Sequence, residues 1–458
     1  MDVVTLSRIQ FGLNISFHYL FPPLSIGLSL LLVLMEGCYL WTKNPVYERL
    51  TKFWVKIFAV IFAVGVATGL VMVFAFGNNW SNFSRFVGDV FGSILGAEGI
   101  FAFFLESGFL GILLFGWNRV SPKVHFFSTL MVSFGAHFSG LWIVIANSWM
   151  QTPAGHKIVG EGAGRHAVID NFWQVLMNPS SLDRLTHVFL GCWLSGSFLV
   201  LSVSAFYLLK KRHLEFAKKS IKLGLSVATI AVVLQGISGD STGRGVAKHQ
   251  PIKLAAFEGV YKTDPATPMT LVGVTHPKKE KTTGISVPGL LSFLVYRNFS
   301  EPVPGLDQYP KELWPKVGVV FQTYHGMITM WVLMLIAVIL TLIALKRKKL
   351  GSSKWTLRFL VFSVIFPQVA NQLGWYSAEM GRQPWAVQGL LKTADAASPS
   401  VSRGQVLGSL FLFSFIYLLL FILFIYLLDK KIKTGPPTED EKPEVEEYRD
   451  QWSTKIGT

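Results

Sequence analysis

The chain has 458 residues, 51% of them apolar and only 15% charged, against about 25% charged in soluble domains, so composition points to the bilayer before any motif is read. A formal net charge of +15 would suggest a nucleic-acid partner in a soluble protein. In a membrane chain, basic residues in short cytoplasmic loops account for it. The two cysteines, Cys38 and Cys192, both fall in apolar segments and exclude a CxxC motif and a disulfide framework.

Asp2 and a lone Arg8 make a poor signal-peptide n-region, and the apolar run after them is long enough to remain as a span. Nine stretches reach spanning length: 13–39, 53–76, 91–117, 125–149, 186–209, 220–240, 318–345, 356–379 and 405–428. Residues 1–240 are thus expected to hold six transmembrane helices and 318–428 three more. Between them, 241–317 is polar, rich in Pro, Gly and Lys, and reads as a large extracytoplasmic loop. Residues 429–458 form a tail containing PPTEDEKPEVEE, a composition expected to be disordered.

Loop charge orients the chain. With the N-terminus outside, the inner segments contain 21 Lys and Arg and the short outer loops 7. The expected fold is an all-α integral membrane protein with nine transmembrane helices, the N-terminus outside and the C-terminus cytoplasmic.

That topology gives each polar residue in a span a depth. His18 lies near the outer end of span 1, and Glu98 in the outer half of span 3. Glu106 is eight residues deeper, about 12 Å along an α-helix and about 80° around it, so the two carboxylates form a rough inward file. Asn147 ends span 4, His187 begins span 5, His325 and Met327 lie in the outer third of span 7, and Glu379 ends span 8. Charged groups in spans are functional candidates by default. His with Met is a ligand set for low-spin heme, and Arg8 and Arg382 are placed to pair with propionates. A bland reading stands beside each: a His at a helix end commonly hydrogen-bonds at the interface, and a Met in a span commonly packs. His325 and Met327 are about 200° apart on a helix, so only one of them faces a given heme. Glu36, near the inner end of span 1, is expected to snorkel, and His125 and His137 carry no ligand role.

The segments LSRIQF (6–11), TKFWVKIF (51–58), GVATGLVMVFAFGNNW (65–80), EGIFAFFLES (98–107), IANSWMQTP (145–153), KLAAFEG (253–259) and GWYSAEMGRQPW (374–385) resemble subunit I of the cytochrome bd quinol oxidases across nearly all nine spans. The resemblance implies two four-helix bundles plus one peripheral helix. It also implies an electrogenic quinol:O2 oxidoreductase of the bacterial cytoplasmic membrane, using ubiquinol or menaquinol. A second membrane subunit and a small single-span subunit would be its partners. His187 and Met327 would ligate low-spin heme b. His18, Glu98 and Glu379 would serve high-spin heme b and heme d, or a further b heme in its place. Glu106 would belong to the proton path, Lys253 and Glu258 to quinol binding and oxidation, and Arg382 and Trp385 to the heme surroundings. Two departures stand out. Tyr324-His325-Gly326-Met327 replaces a frequent Phe-Arg-Ile-Met, and the loop is short, as in the short-loop branch. The rival class is a heme-free, proton- or ion-coupled transporter, which would be colourless.

Overall fold

A computed structural model describes residues 1–437. The amino-terminal half comprises α1 (Val3–His18), α2 (Pro22–Thr42), α3 (Pro45–Asn79), α4 (Ser81–Ala97), a π-helical turn over Glu98–Phe103, α5 (Phe104–Phe115) and α6 (Pro122–Gln151). A short hairpin, β1 (His156–Val159) with β2 (His166–Ile169), and α7 (Phe172–Leu176) lead to α8 (Ser181–Leu209) and α9 (Leu214–His249). Next come α10 (Pro251–Glu258), the antiparallel hairpin β3 (Met269–His276) with β4 (Lys281–Val287), and α11 (Leu290–Tyr296). The chain closes with α12 (Val317–Lys346), α13 (Lys354–Phe362), α14 (Ile365–Gly381), the hairpin β5 (Trp385–Val387) with β6 (Leu391–Lys392), α15 (Thr393–Ala396) and α16 (Arg403–Thr434).

The helices start where their sequences supply caps. Proline, whose missing N–H costs nothing in a first turn, opens α2, α3, α6 and α10. The Asn44 side chain accepts from Val46 N at 3.0 Å, and Ser402 and Gln405 form a reciprocal capping box on α16. Trp54, Phe58, Phe198 and Tyr207, among the largest fully buried side chains, lie on α3 and α8. Against α8, α2 approaches closely: a Cβ on Gly27 would sit 2.0 Å from the Cys192 carbonyl, and one on Gly196 would sit 2.2 Å from Gly27. Small residues allow such backbone contact between membrane helices. At the periphery, α16 packs on α1 and α3 and leaves most of its apolar surface uncovered.

Among the described residues, eight helical stretches are long and apolar enough to cross a membrane. The stretch expected as the eighth of nine spans, 356–379, is instead two helices broken at Ser363–Val364. Pro367 has no N–H to return to the Ser363 carbonyl, which ends the regular ladder there. The first stretch also breaks: Pro22 and Pro23 separate α1 from α2. Helix α9 runs past the expected boundary at 240 to His249, helped by Asp240 pairing with Arg244 one turn on at 3.0 Å. Helix α16 likewise carries residues 429–434, which were expected in the tail; residues 438–458 of that tail lie outside the described residues.

The segment after α9 is packed, not loose. All of Lys253 to Glu258 in α10 is buried, and Leu254, Phe257, Leu306 and Val320 share one apolar cluster against α12.

Candidate functional site

Glu379, at the end of α14, is the centre of the polar site. Its Oε1 accepts from Asn147 Nδ2 at 3.0 Å and from Gln151 Nε2 at 3.1 Å, both on α6, and its Oε2 meets Arg382 Nη2 at 2.5 Å. Arg184, at the start of α8, donates to Asn147 Oδ1. Gln151 Oε1 in turn accepts from Lys253 Nζ at 2.7 Å and from Gln250 Nε2 at 3.1 Å. Lys253 therefore stands two hydrogen bonds from Glu379, and the loop helix α10 closes directly over it. A Cβ on Gly381 would collide with the Lys253 stem at 2.9 Å, so the glycine is what admits the lysine.

This network holds three cations, Arg184, Lys253 and Arg382, against one carboxylate. Burial, then the neighbouring Arg184 charge, holds the Lys253 ammonium well below its ordinary value. Among the described residues, Arg184 Nε and Arg382 Nη1 are buried donors without partners. Buried donors and charges ordinarily have partners, so the site is short of anionic acceptors.

Glu258 ends α10 on a different face from Lys253, and the structure does not bring the two together. Burial pushes its carboxyl up to about 7, against a hydrogen bond from Tyr324 that acts in the opposite direction. Tyr324 on α12 stacks on Phe257 at 4.5 Å. Glu258 Oε2 is buried with no partner.

His325 turns away from any ligand role. Its Nε2 lies 2.7 Å from the Thr270 carbonyl of β3 and its Nδ1 3.0 Å from the Phe321 carbonyl. Both nitrogens face backbone carbonyl oxygens, and the residue fastens the hairpin to α12. Two residues on, the Met327 sulfur points at α14, where a Cβ on Gly374 would sit 2.9 Å away. On α8, His187 faces α9, with Nε2 3.0 Å from Gln235 Nε2 and Nδ1 3.3 Å from Ser238 Oγ. His18 Nδ1 lies 3.0 Å from Thr68 Oγ1, which leaves Nε2 as its free nitrogen, and Gly69 makes room for the ring. Arg8 reaches the Met380 sulfur, at 3.8 Å, and the Trp385 carbonyl accepts from Arg382 Nε at 3.3 Å.

Glu98 lies in the π-helical turn, so the α-helical angle between it and Glu106 does not apply. Helix α6 nevertheless gathers both. Ser139 Oγ donates to Glu98 at 2.7 Å, and one turn away Gly135 is the position against which Glu106 packs. Such π turns recur at functional sites. Glu36 does not snorkel. It is 1% exposed, with His125 Nδ1 at 2.6 Å and Thr129 Oγ1 at 2.5 Å from its two oxygens. His137 is satisfied by the Ser133 carbonyl and Trp193.

Residues 6–436 match the family described as cytochrome bd terminal oxidase subunit I. The chain belongs to that family. Cytochrome bd ubiquinol oxidase subunit 1 of Bacillus subtilis (strain 168) is 40% identical, covering 100% of this chain and 99% of its own. Cytochrome bd-II ubiquinol oxidase subunit 1 of Escherichia coli (strain K12) is 33% identical, over 96% of this chain and 99% of its own. The solved bd oxidase of Geobacillus thermodenitrificans superposes with a TM-score of 0.88 at 29% identity, covering 95% of this chain and 99% of that one. The chain is thus a multi-pass membrane subunit of a quinol:O2 oxidoreductase, a terminal oxidase that works with a second subunit and with heme cofactors. The transporter reading is set aside.

The residues present fit heme. Propionate carboxylates are what the unpartnered Arg184 and Arg382 donors lack. The imidazole and thioether candidates stand singly: among the described residues no three His, Cys, Asp or Glu gather as a bare metal ion would need, whereas a porphyrin brings its own in-plane nitrogens.

Sequence reasoning missed Arg184, Gln151 and Gln250. Arg184 stands three residues before His187 and in the sequence reads as one more basic residue of a short outer loop.

Proposed function

We propose that this chain is the heme-bearing catalytic subunit of an electrogenic cytochrome bd-type oxidase. In this reading nine spans, with α13 and α14 together making the eighth, hold the N-terminus outside and the C-terminus in the cytoplasm of a bacterium. Quinol is oxidised at the outer loop and O2 is reduced to water with uptake of inner protons. The observation that carries the reading is the direct seating of the quinol-loop helix α10 on the Glu379 network, through Lys253 and Gln151.

His187 and Met327 would hold low-spin heme b, while His18, Glu98 and Glu379 would hold high-spin heme b and heme d or a b heme in its place, with Arg184 and Arg382 on the propionates. When bound, these groups supply the electron transfer and the oxygen chemistry. The chain's residues do the rest. Glu258, with its carboxyl near 7, takes a proton from quinol as a general base. Lys253, easily neutral in its buried position, orients a quinol oxygen or holds the Gln151 amide. Glu106 and Glu98, side by side along α6, pass protons from the inner side.

A reduced-minus-oxidised spectrum of the purified complex, followed by oxygen uptake with quinol in vesicles carrying an internal pH dye, tests this. Heme bands, uptake and alkalinisation of the compartment facing the inner side are the expected results. A colourless protein, or uptake with no proton movement, would overturn it.

A further inference from the structure

On α1, Gln10, Asn14 and His18 recur every four residues and share one face. Helix α3 runs along that face. Asn79 Nδ2 donates to Gln10 Oε1 at 2.6 Å, and Thr68 Oγ1 meets His18 Nδ1 at 3.0 Å. Helix α16 supplies the third wall, where Ser409 Oγ accepts from Gln10 Nε2 at 2.9 Å. Between them is a cavity of about 40 Å³ whose polar lining is Gln10, Asn14, Asn78, Asn79 and Ser409, with aromatic side chains and Ala75 of α3 as its apolar wall.

Asn14 is 1% exposed, and neither its amide nitrogen nor its oxygen has a partner. A buried amide left dry is costly, and a hydrocarbon tail could not satisfy it. A water needs roughly 10–15 Å³ of such space and two to four polar partners. The cavity offers both.

We propose that this cavity holds water and is the outward end of a path by which product water leaves the neighbourhood of His18 for the surface at Asn78. The inference rests on the function proposed above, because reduction of one O2 with four electrons and four protons forms two waters that must leave a buried site. Asn14 lies one helical turn, about 6 Å, from His18. The polar part of the lining is amide and hydroxyl, and none of the lining residues is a titratable acid or base, so it passes water without storing protons. The carboxylates Glu98 and Glu106 face a different helix, α6. Water leaving and protons arriving are thereby kept on separate sides of the site.

The test is a structure of the whole oxidase at a resolution that shows water, together with turnover of two variants. Asn14→Leu keeps the branched four-atom shape of the side chain and removes both polar atoms, and Ala75→Leu fills the cavity from α3. Ordered water on Asn14 is expected in the wild type. Both variants should keep the heme spectrum and the KM for quinol, and lose turnover about fivefold at saturating substrates, the equivalent of one hydrogen bond of about 1 kcal/mol. A dry cavity, one filled by a lipid tail or a partner side chain, or wild-type turnover in both variants would overturn the inference. If instead the wild-type heme spectrum were missing, the underlying function would be at fault. The water density remains readable even if a variant fails to fold.

Discussion

Replacing Glu258 with Gln should erase the pH dependence of quinol oxidation near neutrality. Two influences act on this carboxyl. Burial raises it and the Tyr324 hydrogen bond lowers it; burial wins, carrying it from 4.5 to about 7, a cost to the ionised form of roughly 3 kcal/mol. Only the ionised form can take the quinol proton. About one-tenth is ionised at pH 6 and about nine-tenths at pH 8, so kcat/KM for quinol should climb about tenfold across that interval. In Glu258→Gln the rising limb should vanish, together with about 10²- to 10⁴-fold of rate, the usual contribution of a general base. Tyr324→Phe removes the one named influence that favours the carboxylate, so the midpoint should move to higher pH and the rate at pH 7 should fall. The assay is steady-state oxygen uptake with a short-chain quinol over a pH series, normalised to heme. A Glu258→Gln enzyme whose rate still rises through about pH 7 would refute the reasoning, as would a Tyr324→Phe midpoint that stays put or turns acid.

Met327→Leu should remove the low-spin heme spectrum, whereas His325→Ala should leave it intact and raise the quinol KM by loosening β3 from α12; the opposite pattern in optical spectra would reverse the assignment. Gln151→Leu cuts the link between Lys253 and Glu379 and leaves both short of a partner, so thermal stability should fall by about 1.5–3 kcal/mol and oxygen turnover with it, at normal heme content. Glu36→Ala removes the carboxylate that holds His125 and Thr129, and loss of a buried hydrogen-bond partner costs about 1–3 kcal/mol; a melting curve matching wild type would show the contact to be idle. Gly27→Ala places a methyl 2.0 Å from the Cys192 carbonyl, which neither backbone can yield cheaply, so folded protein recovered from membranes should drop sharply.

Apolar runs of spanning length marked the helices well, because a membrane helix must be apolar along its whole length and nothing else in the chain is. What they could not mark was where a run changes its hydrogen bonding. The breaks before Pro22 and Pro367 leave hydropathy high on both sides, and the π turn at Glu98 is written in no residue type. The overrun of α9 to His249 was hidden for the reverse reason: a helix leaving the bilayer becomes polar without ceasing to be a helix. At the site, residues carrying a charge or a ligand atom were legible one by one. Their neutral connectors were not. Gln151 and Gln250 look like ordinary surface residues until folding places one against Glu379 and the other against Lys253. Depth alone makes Glu36 read as a snorkelling residue, because His125 and Thr129, which hold it inside, arrive from α6.

The connectors change how the two halves of the reaction relate. Three buried cations around Glu379 would be intolerable with a single carboxylate unless further anions share the charge. Propionates at Arg184 and Arg382 would meet that need. Lys253 is different, because it can shed its charge. It sits on the helix that also carries Glu258, so a change in protonation during quinol oxidation is felt within two hydrogen bonds of Glu379. In the proposed reading the loop would be more than a lid for quinol: it would bring a cation that can be shed to the surroundings of the oxygen-side carboxylate. If so, Lys253→Met, which removes the charge while keeping the stem against Gly381, should shift the pH dependence of oxygen reduction as well as quinol affinity. A change confined to the quinol KM would show the two sites to be electrostatically independent.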